Sequence, residues 1–318
     1  MVGTGLLNRD VISIKDFSRE ELKQVFSTAA DVEKHPRSYR NLFTDKRVAL
    51  LFLEPSTRTY GSFEASAVNL GCKILSNRSA SLTSIAKGET LHDTIKMIEG
   101  YDTDCIIIRD KHMGAARFAS EVAEIPVINA GSGSQEHPTQ AMLDLYTILK
   151  KRGRIDDIKI GFIGDLRYGR TCPSLSYALV KYDDVEITFI APPILQARRE
   201  VEIYLQRNKV GYTKLADPRE VIGQLDVLYV TRIQKERFPD PTEYERVKGS
   251  YIVNLDLLDL ANEDLGVMHP LPRLGELPSE VDKTGHAWYF TQARNGIPIR
   301  AALLYLILGG DIGKHALG

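Results

Sequence analysis

Val48-Ala49-Leu50-Leu51-Phe52-Leu53-Glu54-Pro55-Ser56-Thr57-Arg58-Thr59 decides how the rest of the chain is read. Its first six residues are an unbroken apolar run, short enough for a buried strand. From Tyr60 to Leu70 the apolar residues Phe63, Ala67 and Leu70 recur at helical spacing. Ser56, Thr57, Arg58 and Thr59 therefore fall where a strand ends and a helix begins. Free backbone N–H groups and the positive end of the helix dipole point outward at such a place, so it suits an anion. Arg58 adds a planar donor fork that fits phosphate oxygens. Ser and Thr are also good N-caps, but a cap uses one hydroxyl, and three hydroxyls with a guanidinium favour the anion site.

The same alternation extends in both directions. Phe17–Glu33 reads as an amphipathic helix with Ser18 as N-cap and Glu20 and Glu21 in its first turn. Lys73–Leu75, Asp104–Ile108 and Ile125–Asn129 are short strand candidates, the first followed by a long polar loop, Ser76 to Gly88. The Gly-rich segment Ala130–Glu136 interrupts the pattern, and a helix follows from Pro138 to Lys151. A second series starts at Ile158–Ile163, with further strands at Glu186–Ile190, Asp226–Val230 and Tyr251–Asn254. Helices are expected near Leu175–Tyr182, Gln196–Asn208 and Pro218–Gln224, and a last one at Ile299–Leu308, apolar around most of its surface and hence buried. Order βαβα argues for an α/β fold of two domains, each a mainly parallel sheet covered by helices. The expected division is 1–137 and 138–294, with the C-terminal helix (295–318) returning to the first domain or lying at a subunit contact.

A chain of 318 residues is too long for one ordinary core, in agreement with two domains. The 41 Lys and Arg against 42 Asp and Glu argue against a general nucleic-acid binder, while leaving room for a local basic pocket. Cys72, Cys105 and Cys172 have neither zinc nor redox spacing, and so sparse a set fits the reducing cytoplasm. Met1–Asp10 has no signal-peptide pattern, and the longest apolar stretch, Ala301–Leu308, is too short to span a membrane.

Further motifs gather at the ends of these elements. His137-Pro138-Thr139-Gln140 puts His137 at a helix entrance, since proline is favoured in a first helical turn, with Gln140 about one turn on. The helix dipole there favours neutral imidazole, a hydrogen-bond donor for a carbonyl oxygen. Arg109 ends a buried strand, where ligand binding and a strand-end ion pair fit equally well. Lys87-Gly88-Glu89 closes the polar loop, a solvated surface loop unless it has a function. Gly164–Thr171 lacks dinucleotide-loop spacing and carries Arg167 and Arg170, which favours an anionic substrate. Thr231–Arg237 again follows a strand, and His269-Pro270-Leu271-Pro272-Arg273 is a stiff turn whose carbonyls can face a ligand and which has room for a cis peptide at Leu271–Pro272. Together these cations suit a small ligand with several negative charges. No paired-carboxylate, metal-spaced or Ser-His-Asp pattern is present, and His92, His112 and His286 read as surface or packing residues.

In these motifs, and nearly end to end, the chain resembles the aspartate branch of the aspartate/ornithine carbamoyltransferase family. Ser56–Thr59 and His137–Gln140 mark the wider family. Arg170, the Arg232/Gln234 pair and His269-Pro270-Leu271-Pro272 mark the aspartate branch, since ornithine enzymes typically carry cysteine where Pro270 stands here. The resemblance implies an active site in the cleft between two domains joined by interdomain helices. It implies transfer of the carbamoyl group of carbamoyl phosphate to L-aspartate, the committed step of pyrimidine synthesis, without metal or cofactor. Ser56, Thr57, Arg58 and Thr59 would hold phosphate. Arg109, His137 and Thr59 would polarise the carbonyl, and Gln140 with the Leu271 and Pro272 carbonyls would hold the carbamoyl amine. Lys87, Arg170, Arg232 and Gln234 would bind aspartate. The resemblance further implies a cytoplasmic homotrimer with shared sites. Lys87 and either Thr83 or Ser84 would enter a neighbour's site, and Glu54 would pair with Arg170 and Arg237 on closure. It leaves room for a regulatory chain in a larger assembly. The alternatives are carbamoyl transfer to another amino acid such as ornithine, which Arg170 and Arg232 would repel, and a silent carbamoyl-phosphate-binding subunit.

Overall fold

A computed structural model describes residues 5–77, 84–233, 238, 240–249 and 251–310. The chain divides into two units, residues 1–142 with 295–318, and residues 143–294. In the first unit, helix α1 (Arg19–Lys34) opens on a capping box in which Ser18 Oγ accepts from the Glu21 N–H and the Glu21 carboxylate from the Ser18 N–H. Two donors left over at a helix start are thereby satisfied. Strand β1 (Arg47–Phe52) is buried beyond its first residue and leads into α2 (Thr57–Leu70), which stops at left-handed Gly71. Then come β2 (Lys73–Asn77), α3 (Leu91–Glu99), β3 (Cys105–Asp110), α4 (Ala115–Val122) and β4 (Val127–Ser132). The sheet order is β2-β1-β3-β4, with every neighbouring pair parallel. Ala49, Leu51, Ile106, Ile108 and Val127 pack against Ile95 and Ile98 of α3 and Ala116 and Ala119 of α4. Residues near Val11 run along the β4 edge, where the Val11 N–H donates to Val127 O (2.8 Å) and the Asn129 N–H to Val11 O (2.9 Å), so the edge is covered.

Helix α5 (Pro138–Arg152) contains one boundary between the units. The second unit then carries β5 (Lys159–Gly164), α6 (Thr171–Leu179), β6 (Glu186–Ile190), α7 (Arg199–Arg207), β7 (Gly211–Leu215), β8 (Val227–Thr231), α8 (Pro241–Val247), α9 (Leu255–Leu258) and β9 (Gly266–Met268). Helix α10 (Tyr289–Ile307) contains the other boundary. The order β7-β6-β5-β8-β9 is again all parallel.

The alternating parallel architecture is the one expected, with four local corrections. Ala130-Gly131-Ser132 does not interrupt the pattern but ends β4, where the Gly131 N–H is taken by Asn129 Oδ1 (2.8 Å). Tyr251–Asn254 is extended but joins no strand. Its Val253 N–H donates to Glu276 O (2.8 Å), and the sheet is completed by β7 and β9 instead. Pro218–Gln224 forms two single 3₁₀ turns, separated by Val221 at φ −136°, rather than a helix. Helix α10 starts at Tyr289, not Ile299, and accommodates Pro298 in its interior. No helix among the described residues is long and apolar enough to cross a membrane.

Candidate active site

In the first sheet, β1 is flanked by β2 on one side and β3 on the other, so the strand order reverses between β1 and β3. Ligands of open α/β sheets gather beyond the carboxyl ends of strands at such a point. Phe52 and Arg109 face each other there in register. Ser56 caps α2 with extended backbone (φ −160°, ψ 104°), yet its hydroxyl makes no capping hydrogen bond. Thr57 and Arg58 are exposed, and partial desolvation draws the Arg58 pKa down from its ordinary value. Thr59 is buried, with Oγ1 3.5 Å from His137 Nε2. His137, 4% exposed, stands at the entrance of α5, where its carbonyl accepts from the Gln140 (3.0 Å) and Ala141 (3.2 Å) N–H groups. Its Nδ1 lies 3.5 Å from Thr139 Oγ1.

Arg109 falls within β3 rather than after it. Its Nη1 donates to Ala130 O (3.2 Å), and its Nε lies 3.3 Å from Glu54 Oε2. The ion pair considered for this strand end is therefore present at the same switch point. Gln140 is buried, whereas Ser84 and Lys87 are exposed on a 3₁₀ turn, Ser84–Lys87. Thr83 lies outside the described residues.

Two buried charges in this unit escape a reading of the sequence. Glu136 directly precedes His137. Its Oε1 accepts from Ser13 Oγ (2.8 Å), its Oε2 from the Ile14 N–H (3.1 Å), and Lys15 Nζ lies 3.9 Å away. Burial pushes its carboxyl above the usual range, against the opposing pull of Ser13, Lys15 and Ile14. Arg300 of α10 is 3% exposed and donates from Nη1 to Ser62 Oγ (2.6 Å) and from Nη2 to Thr139 Oγ1 (3.4 Å). A lone cation inside an apolar helical run was the one signal that could have found it.

In the second sheet the order reverses between β5 and β8, where Gly164 pairs with Thr231. A Cβ on Gly164, at φ +110°, would stand 2.1 Å from Thr231 O, so only glycine fits. Asp165 Oδ1 accepts from the Arg167 (3.2 Å) and Tyr168 (2.8 Å) N–H groups and fixes the loop into α6. Arg170, buried, caps α6, and its carbonyl accepts from Ser174 Oγ (2.8 Å). Arg232 follows β8 and is half-buried. Both arginines thus leave strands that flank the switch point. Gln234 and Arg237 lie outside the described residues.

The turn at 269–273 has a cis Leu271–Pro272 bond. His269 Nδ1 accepts from the Leu271 N–H (2.8 Å) and Nε2 meets Glu276 Oε1 (2.9 Å), so His269 braces the turn. Arg273 likewise is tied to Asp282 (Nη2 to Oδ2, 2.6 Å). Buried Asp144 accepts from Tyr229 Oη (2.9 Å) and Gln292 Nε2 (2.7 Å), and Gln292 Oε1 accepts from the His269 N–H (2.8 Å), which links β8 to this turn. Leu271 is half-buried and Pro272 exposed. His92 and His112 meet neighbouring aspartates, and His286 meets the Leu265 carbonyl.

Residues 9–150 match the family model described as "Aspartate/ornithine carbamoyltransferase, carbamoyl-P binding domain", and residues 156–307 match the "Asp/Orn binding domain" of the same family. The aspartate carbamoyltransferase catalytic subunit of Hyperthermus butylicus is 51% identical, over 98% of this chain and 99% of that protein. The catalytic subunit of M. jannaschii aspartate transcarbamoylase superposes with a TM-score of 0.85 at 44% identity, covering 93% of this chain and 96% of that one. Aspartate transcarbamoylase from Trypanosoma cruzi, solved in complex with carbamoyl phosphate and aspartate, gives 0.90 at 35% identity, covering 96% and 98%. With both halves matched and with relatives this similar along nearly its full length, the chain belongs to the aspartate/ornithine carbamoyltransferase family.

Proposed function

We propose that this chain is an aspartate carbamoyltransferase, making N-carbamoyl-L-aspartate and phosphate from carbamoyl phosphate and L-aspartate. One observation carries the chemistry: a helix start with an uncommitted Ser56 hydroxyl shares its switch point with Thr59, His137 and Arg109. Backbone N–H groups and the Arg58 guanidinium suit the phosphate, with Ser56, Thr57 and Thr59 adding hydroxyl donors. Thr59, Arg109 and His137 then face the carbonyl oxygen, whose negative charge grows as the aspartate amine attacks carbon and the C–N bond forms. Such donors stabilise the tetrahedral intermediate without reorganising, typically the largest contribution in acyl transfer. Collapse breaks the bond to the phosphate oxygen, and the departing phosphate takes the amine proton. Gln140 and the Leu271 and Pro272 carbonyls hold the carbamoyl amine. Arg170, Arg232, Gln234 and Lys87 bind the aspartate carboxylates, a cationic set that suits aspartate and opposes ornithine.

The family resemblance further supports a homotrimer of the chain. Thr83 or Ser84 with Lys87 would complete a neighbouring site, and Glu54, Arg170 and Arg237 would pair on closure. It also supports a carbamoyl-phosphate domain at 1–137 with 295–318, an aspartate domain at 138–294, and a place in pyrimidine synthesis. Three buried free thiols fit a reducing cytoplasm. The purified protein, given carbamoyl phosphate with aspartate, ornithine or no amine, tests the reading through the ureido product. Product with aspartate alone is expected. Product with ornithine, or binding without product, overturns it.

A further inference from the structure

We infer that His269 is a positioning residue: its Nδ1 holds Leu271 in a left-handed conformation and so sets where the 271–272 carbonyls point. The inference rests on the carbamoyl-transfer reading, in which those carbonyls hold the carbamoyl amine.

Leu271 has φ +56°. A left-handed backbone brings Cβ against the following carbonyl oxygen, so bulky side chains avoid it, while asparagine and aspartate enter it more readily. The other described non-glycine residues at positive φ are asparagines, aspartates and Lys209, which leaves Leu271 as the one apolar side chain among them. Such an outlier persists only where its surroundings hold it, and it is a pointer to function. What holds this one is the bond from the Leu271 N–H to His269 Nδ1 (2.8 Å). The next residue, Pro272, has no N–H with which to add another.

The direction of this bond is fixed. A backbone N–H can only donate, and a ring nitrogen has one lone pair, so Nδ1 is a bare acceptor and the proton of the neutral ring sits on Nε2. Nε2 lies 2.9 Å from Glu276 Oε1, which accepts it. The same Oε1 accepts from the Leu274 N–H (3.1 Å). The ring is held in place: His269 is 1% exposed, and its own N–H donates to Gln292 Oε1 (2.8 Å), whose Nε2 donates to buried Asp144 (2.7 Å). Past the turn, Arg273 is tied to Asp282. Both ends of the turn are thus anchored, and the conformation between them depends on the acceptor that the imidazole supplies. The backbone angles of Leu271 set the direction of its carbonyl, so the imidazole acts on substrate through that carbonyl.

Two substitutions separate the ring nitrogens. In His269→Asn the side-chain oxygen stands where Nδ1 stood and still accepts from Leu271. In His269→Gln the amide reaches Glu276 instead and leaves the Leu271 N–H without an acceptor. Titration of the full-length protein with carbamoyl phosphate should therefore give a dissociation constant weakened about tenfold or more in His269→Gln and within about threefold of wild type in His269→Asn. Inorganic phosphate, which has no carbamoyl amine, should bind all three proteins within about threefold. Equal losses in the two variants, a loss confined to His269→Asn, no loss in either, or a phosphate affinity that falls in parallel would each overturn the inference. Should neither variant fold, wild-type protein labelled with ¹⁵N-histidine decides, the His269 signals being assigned by their shift in Glu276→Gln. A bare Nδ1 and a protonated Nε2 are expected, and a proton on Nδ1 overturns the inference. Wild-type protein that makes no carbamoyl aspartate overturns the functional reading instead, while the spectrum still reports on the brace.

Discussion

At the carboxyl ends of β1 and β3 the polar side chains are tied to one another, whereas at the ends of β5 and β8 it is the backbone that is tied. In the first place Thr59 meets His137, Arg109 meets Glu54, and Arg300 joins Ser62 of α2 to Thr139 at the start of α5. In the second, Gly164 is pressed against Thr231, Asp165 holds two loop N–H groups, and Arg170 and Arg232 leave strands around that rigid turn. The same topological feature is thus furnished in two ways. A set of mutually oriented donors suits the place where charge develops during reaction. Guanidinium groups on a rigid turn suit recognition of carboxylates that do not change during it.

That contrast is broken most directly at Arg58. Arg58→Ala should lower turnover by at least a hundredfold, about 2.7 kcal/mol, because no neutral side chain replaces a cation beside a transferring phosphate. Activity within about tenfold of wild type would place the phosphate elsewhere. Arg232→Ala should act on binding instead. Loss of a charge-assisted hydrogen bond, about 1.5–3 kcal/mol, should raise KM for aspartate about tenfold to a hundredfold and leave KM for carbamoyl phosphate nearly unchanged. Equal effects on both substrates would erase the distinction between the two sites.

Glu136 sharpens the comparison on the stability side. Glu136→Ala leaves the Ser13 hydroxyl and the Ile14 N–H without their acceptor and should cost about 1–3 kcal/mol in denaturant unfolding. Glu136→Gln keeps an acceptor and removes a buried charge, so it should be near neutral at pH 7. The pH dependence has a definite sign. Burial raises the folded-state pKa, so between the unfolded and folded values the native protein holds the extra proton. Stability from this group therefore falls as pH rises through that window, and Glu136→Gln should flatten the fall. A glutamine variant with the wild-type slope would remove Glu136 as its source.

What was legible in the sequence follows from where the chain is buried on both sides. Val48–Phe52 and Ile106–Ile108 are continuous apolar runs because they are central strands, and the residues that leave them could be read as site candidates directly. Gly211–Leu215 was missed because an edge strand with three of its five residues exposed and none buried carries no such run. Gly266–Met268 is only three residues long. Gly131 looked like a loop residue, and the last helix looked as if it began at Ile299, because propensity is local and tertiary packing overrode it at both. Glu136 and Arg300 were invisible for a different reason. Their partners, Ser13 and Ile14 for one and Ser62 and Thr139 for the other, are distant in sequence and are brought together only by the fold.

Ser56 separates the two meanings of a hydroxyl at a helix start. Were Ser56 a true cap, Ser56→Ala would cost about 0.5–2 kcal/mol of stability. Its side chain makes no capping hydrogen bond, so the expected loss is only a few tenths of a kcal/mol by denaturant midpoint. The hydroxyl should instead be felt by the ligand, with the dissociation constant for carbamoyl phosphate weakened about tenfold, or 1.4 kcal/mol, in titration calorimetry. A stability loss of a full kcal/mol with unchanged affinity would reverse the assignment and make Ser56 a cap that secures the backbone of α2 rather than the ligand.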